Sequence, residues 1–164
     1  MQLAKDQEIQ GMKFTKGTEI WFYEDGKILS AVLSKNQEFQ GIKCAEGTDI
    51  EFYKNGKIMR IEKFGYKPAN GEAVMAGLSQ DQDIQGVKCA KGTEIYFYEN
   101  GKIKTAYLSQ DQEIQKVKCA EGTMVDFYEN GKILTAALSR DQEIQGVNCA
   151  LGTYVQFDED GKIL

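Results

Sequence analysis

Along most of the chain, apolar and polar residues alternate with a period of two, and the alternating text returns every 30 residues. Ile20, Ile50, Ile95, Val125 and Val155 are each followed by a variable residue (Trp21, Glu51, Tyr96, Asp126, Gln156) and then by Phe22, Phe52, Phe97, Phe127 or Phe157. Such patterning marks strands with one buried face. The branched residue and the Phe are therefore predicted to face a core, and the position between them water. Further apolar slots recur in step: Ile9, Phe39, Ile84, Ile114 and Ile144; Met12, Ile42, Val87, Val117 and Val147; Ile28, Ile58, Ile103, Ile133 and Ile163; Leu3, Leu33, Leu78, Leu108 and Leu138. About seven such slots per unit, each worth roughly 1.5 to 3 kcal/mol when fully buried, suffice for a repeat stabilised by its neighbours. No stretch sustains a helical period.

Punctuation between these runs sets the units. Gly-Lys pairs begin at Gly26, Gly56, Gly101, Gly131 and Gly161, a spacing of 30 broken by one step of 45. The preceding Asn or Asp predicts a type I′ hairpin turn, which needs positive φ at both central residues. A second turn, Ala-x-Gly-Thr (Thr15-Lys16-Gly17-Thr18 in the first unit), carries Gly17, Gly47, Gly92, Gly122 and Gly152 and predicts a three-residue hairpin loop with a bulge. Each unit should then hold three extended segments, in the fourth Glu113 to Cys119, Thr123 to Glu129 and Lys132 to Ser139; the first of these, around Gly86 in the third unit, reads as one strand, two, or a loop. Lys116 replaces the Gly found at the same place in other units, which suggests that positive φ is not required there. The chain reads as one repeat domain with units at about 3–32, 33–62, 78–107, 108–137 and 138–164 and a half repeat at 63–77. That half repeat reads as a strand, a turn at Gly65 to Gly71 and another strand. Losing two strands preserves direction in an antiparallel sheet but disturbs a coil, so the expected fold is an all-β antiparallel hairpin array, with a β-solenoid as the alternative. The last text, Gly161-Lys162-Ile163-Leu164, complements the first, Met1-Gln2-Leu3. Pairing of the two would close the array into a barrel or ring; the other reading is a piece of a longer array.

Composition narrows the chemistry. A hydrophobic content of 41% supports burial, and a net charge of -5 argues against nucleic acid or an anionic membrane surface as partner. There is no apolar run of bilayer length and no basic-then-apolar leader, so neither a membrane span nor a signal peptide is expected in this chain; the compartment stays open. Cys44, Cys89, Cys119 and Cys149 occupy one slot per unit, filled by Phe14 in the first. A slot that accepts Phe or Cys reads as a buried apolar one. With no histidine and no C-x-x-C pair, neither a metal nor a cofactor is expected.

The repeated Gln7, Gln37, Gln82, Gln112 and Gln142, and Gln10, Gln40, Gln85, Gln115 and Gln145, read as structural amides that satisfy backbone groups and form ladders between units. Asp6, Asn36, Asp81, Asp111 and Asp141 do not have the spacing of a calcium loop. Carboxylates are abundant but no pair can be given acid and base roles, so an enzyme with carboxylate chemistry is a minor alternative. The outward Trp21, Tyr96 and Tyr154, with Tyr23, Tyr53, Tyr98 and Tyr128 nearby, are the candidate binding residues: aromatic platforms for a protein or a glycan.

Phe97-Tyr98-Glu99-Asn100-Gly101-Lys102 and its copies resemble the hairpin core of MORN-type repeats and of related bacterial antitoxin-like repeat proteins. The unit of 30 residues is longer than a MORN unit, and the Ile-Gln-Gly-Val-Lys-Cys text stands outside that motif. The resemblance implies an elongated antiparallel β-array used in assembly or targeting. Together these readings lead to a non-enzymatic scaffold or protein-interaction module, binding a protein partner or itself, with a carbohydrate-binding module as the alternative.

Overall fold

The computed structural model describes residues 1–63 and 77–164, which contain no helix. Nine strands form one antiparallel meander in chain order: Glu19–Phe22, Ile28–Val32, Thr48–Phe52, Ile58–Lys63, Ile95–Phe97, Ile103–Tyr107, Met124–Phe127, Ile133–Ala137 and Tyr154–Gln156. Five short hairpins precede the sheet strands of their units: Gln7–Ile9 with Met12–Phe14, Gln37–Phe39 with Ile42–Cys44, Gln82–Ile84 with Val87–Cys89, Gln112–Ile114 with Val117–Cys119, and Gln142–Ile144 with Val147–Cys149.

Each unit thus holds four strands where three were expected, because the segment Glu113 to Cys119 folds back on itself. The reason lies in its turn. Gln10, Gln40, Gln85, Gln115 and Gln145 have φ of 50–55°, and the next residue is also positive, at 77° for Gly11 and 69° for Lys116. Two successive left-handed residues make the type I′ turn that matches strand twist, and Lys116 adopts it despite its Cβ. Positive φ is therefore kept at that place even without glycine. The Asn-Gly turns, predicted as type I′, are different: at Asn55-Gly56 only the glycine is left-handed, at 82°. Gly56 N–H donates to Tyr53 O and Tyr53 N–H to Lys57 O, both at 2.8 Å, and the register shifts between Glu51 and Phe52. This is a type I turn closed by a bulged glycine, stabilised by Asn55 Oδ1 accepting from Lys57 N–H at 3.0 Å. The Ala-x-Gly-Thr turn is likewise no loop between paired strands. It carries the chain from the short hairpin into the sheet.

With two sheet strands per unit, every unit enters the sheet in the same direction. The register runs unbroken through Ile20, Ala31, Ile50, Ile61, Ile95, Ala106, Val125, Ala136 and Val155, all buried. These side chains pack in one cluster with Phe14, Phe39, Ile42, Cys44, Val87, Cys89, Val117 and Cys119 of the short hairpins, which lie on this face of the sheet. Ile61 pairs with Ile95 as Ala31 pairs with Ile50, so the step of 45 residues leaves the sheet intact. The half repeat assigned to 63–77 lies almost wholly outside the described residues.

The core is shared between units, as the ends show. Val147 of the last short hairpin is 48% exposed where Val117 is 5%, and Phe22 of the first unit is 37% exposed where Phe52 is 0%. Each is covered only when a neighbour is present. The sheet is also open: Gln2 bridges Glu19 at one edge and Ile163 bridges Phe157 at the other, eight strands away, so the predicted contact between the two terminal texts does not form and the array is neither barrel nor ring.

Polar side chains lock the units together. Tyr23, Tyr53, Tyr98 and Tyr128 hydroxyls donate to the carbonyls of Phe52, Phe97, Phe127 and Phe157 in the next unit, at 2.7–2.9 Å. Gln82 and Gln112 each clasp both backbone groups of one residue of the preceding hairpin, Lys43 and Lys88, at 2.9–3.1 Å. Within a unit, the left-handed Gln donates to the carbonyl of Gly26, Gly56, Gly101, Gly131 or Gly161 at 2.7–2.8 Å, tying the short hairpin to the sheet turn. The amides bond backbone, rather than stacking in the ladders expected.

Tyr98→Phe should lower stability by about 1 kcal/mol through loss of one hydrogen bond between units. Ile95→Ala should cost about 2–5 kcal/mol through an unfilled cavity in the shared row. Both should appear as shifts of the urea midpoint; a Tyr98→Phe protein indistinguishable from the parent would remove the hydroxyl from the account of repeat coupling.

Candidate interaction face

Because the short hairpins cover one face of the sheet, the side chains that alternate with the buried row occupy the other. One register line across it runs Trp21, Ser30, Glu51, Arg60, Tyr96, Thr105, Asp126, Thr135 and Gln156. This line contains the variable position of every unit. A second line includes Glu19, Val32, Asp49 and Glu62, then Tyr107 with Met124 and Ala137 with Tyr154. Trp21 is 38% and Tyr154 60% exposed, and Tyr96 is half-buried with its hydroxyl donating to Glu94 at 3.1 Å.

The seven candidate aromatics therefore divide. Trp21, Tyr96 and Tyr154 share the open face but stand on the first, fifth and ninth strands, about 19 Å apart at the usual strand spacing. Tyr23, Tyr53, Tyr98 and Tyr128 sit at the sheet turns, half-buried, with their hydroxyls committed to the neighbouring unit. The last unit carries Asp158 in the place of this Tyr.

On the third and fourth strands of this face lies a cluster that the periodic reading did not single out. Asp49, Glu51 and Glu62 bring carboxylate oxygens within 4.8 Å of one another, and Arg60 lies among them, bonded through Nη2 to Glu51 and, at 3.1 Å, to Glu62. Burial and the charges of Glu51 and Glu62 push the Asp49 carboxyl up to about 6, with Arg60 opposing. Asp49 Oδ1 and Arg60 Nε are buried without a hydrogen-bond partner. The signal in the sequence was a departure from the repeat: Arg60 stands where the other units have Ser30, Thr105 and Thr135.

The remaining candidate groups are structural. Asp6, Asn36, Asp81, Asp111 and Asp141 each accept the backbone N–H of the residue before the turn glycine at 2.6–2.8 Å, a role that Asn fills as well as Asp. Cys44, Cys89 and Cys119 are buried free thiols, pushed up to about 12, 12 and 11 by desolvation, while Cys149 of the outermost hairpin is partly exposed. Clefts recur between neighbouring units beside the sheet turns. One of about 250 Å³ is lined by Gln115, Lys116, Val117, Ile133, Glu143, Ile144, Gln145, Phe157 and Gly161, and its single carboxylate gives no acid–base pair.

The raised Asp49 value has a stability consequence. Its folded-state value of about 6 exceeds the ordinary 3.8, so the folded protein holds the proton more tightly, and this group's contribution to stability falls as pH rises from about 4 to 6. Asp49→Asn should lack that decline and be the more stable protein at pH 7, with the difference narrowing below pH 4; thermal melts across this range check it, and parallel profiles for the two proteins would rule it out.

Comparison with family models places the MORN repeat variant on residues 16–36, 91–108 and 120–137. Comparison with curated proteins and with solved structures gives no match. All three matched stretches fall on a pair of sheet strands and the Gly-Lys turn between them, and the first two short-hairpin strands of each unit lie outside them. Over these three stretches the chain is similar to the MORN repeat variant, and each matched sheet hairpin is accompanied by a short hairpin covering one face of the sheet.

Proposed function

We propose that this protein is a non-enzymatic interaction scaffold whose docking surface is the open face of the nine-stranded sheet. MORN repeats commonly serve as protein-interaction or membrane-binding modules. The observation that carries the reading is where sequence variation falls. Core residues, capping amides and fasteners between units are copied from unit to unit, whereas the line from Trp21 to Gln156 differs at nearly every strand. A structural role would be met by repetition, as it is elsewhere in the molecule. A surface that reads a particular partner needs different side chains at different places.

The line offers Trp21, Arg60 and Tyr96, the residue types that dominate protein-binding hot spots. The wide spacing of Trp21 and Tyr96, with Arg60 beside Tyr96 on the adjacent strand, suits a protein surface or an extended segment laid across the strands. A glycan platform draws on the same aromatics, but stacking on one or two sugar rings uses side chains a few ångströms apart, and these are separated by about 19 Å.

A photo-crosslinking amino acid at Tyr96 should capture a protein partner in cells, while the same group at Glu113, on the short-hairpin layer, should not. Trp21→Ala with Tyr96→Ala should then weaken the purified partner by at least about tenfold while leaving the melting curve close to the parent's. Capture from Glu113 alone, or glycan-array binding lost with the same substitutions, would move the function off this reading.

A further inference from the structure

Charge on this molecule is segregated by face. The open face bears Glu19, Asp49, Glu51, Glu62, Glu94 and Asp126 against Arg60 and, at the strand bulge beside Thr105, Lys104: six carboxylates and two cations. That excess of four makes up most of the net charge of -5 of the whole chain, and everything else, with nineteen acidic and eighteen basic residues, sums to -1. Most of the acidic excess of the protein falls on one surface.

The arrangement is held at a cost. Asp49 and Glu62 are direct register partners on adjacent strands, and Glu94 precedes Ile95, whose partner Ile61 adjoins Glu62. Like charges directly opposed across strands are destabilising. Among the described residues the ion pairs of this face are those of Arg60 with Glu51 and Glu62; Glu19, Asp49, Glu94 and Asp126 have none. Asp49 Oδ1 is moreover buried and unbonded beside the unbonded Arg60 Nε.

Arg60 also shows how this surface holds a cation. Its guanidinium bonds the carboxylates of two strands and has Tyr96 as its register partner on the next. Two carboxylates on neighbouring strands bonded to one planar, forked guanidinium suit arginine better than lysine. From this segregation and this internal example, and resting on the open face as docking surface, we infer that the partner presents an arginine-rich protein segment, whose guanidinium groups pair with Glu19, Asp49, Glu94 and Asp126 beside Trp21 and Tyr96.

The probe is a fluorescein-labelled peptide of alternating Arg and Ser, with a Glu-Ser peptide as its opposite, followed by fluorescence anisotropy on the full chain. The Arg peptide should bind saturably and weaken with rising salt, and the Glu peptide should not bind. Glu19→Gln with Glu94→Gln and Asp126→Asn should weaken binding about tenfold, the sum of a few exposed ion pairs. Glu8→Gln with Glu38→Gln and Glu113→Gln changes net charge equally, but on exposed positions of the short hairpins, and should leave binding within about twofold. Equal losses in the two triple variants would reduce the effect to net charge and overturn the inference, as would absence of saturable binding by the Arg peptide. A partner crosslinked from Tyr96 whose affinity ignores the face substitutions would overturn this inference and leave the docking face standing; no crosslink from Tyr96 would remove the face itself.

Discussion

No unit of this protein buries its own apolar residues. The row from Ile20 to Val155 is sealed because each inner sheet strand lies between two others and the whole sheet lies beneath short hairpins that abut along the array. The ends make the dependence visible in Phe22 and Val147, exposed where their counterparts are buried. Stability in such an array is a sum over units and over the contacts between them. The tyrosine hydroxyls and the amides of Gln82 and Gln112 belong to the second kind, since each spends its bonding capacity on backbone of a neighbour.

That dependence fixes the shape of the surface. A single-layer sheet has two faces, and the short hairpins cover one of them, so the other is left open. The type I′ turn at the left-handed Gln makes this possible by reversing a segment too short to cross the sheet. The same Gln then bonds the sheet turn beneath it, fixing the height and angle of the hairpin. Lys116 keeps the left-handed conformation that glycine adopts more readily, which shows how strongly the surrounding hairpin dictates that backbone.

Function, on this account, resides in the departures from repetition. Repeating positions are explained by packing and backbone satisfaction, down to the Asp that becomes Asn36 without loss of its hydrogen bond. Non-repeating positions collect on the open face, with most of the acidic excess and with Arg60. A cluster in which Asp49 is desolvated among carboxylates is unfavourable to the isolated fold, and a cationic partner would relieve it.

The sequence by itself determined the sheet strands, the Ile/Val positions of the buried row and the unit length, because period-two alternation and turn glycines are local properties that the backbone reads directly; it did not determine the folding back of the segment that becomes the short hairpin. It also placed Trp21, Tyr96 and Tyr154 outward, since facing follows from alternation alone. It could not assign the turn types, because Asn55 takes its conformation from a hydrogen bond to Lys57 N–H and Gln115 from one to Gly131 O, partners that pattern does not reveal. Nor could it decide between closed and open arrays, or that Tyr23, Tyr53, Tyr98 and Tyr128 serve the neighbouring unit while Asp49, Arg60 and Glu62 converge. Those outcomes depend on which strands lie side by side, and only the assembled sheet brings residues of different units within bonding distance.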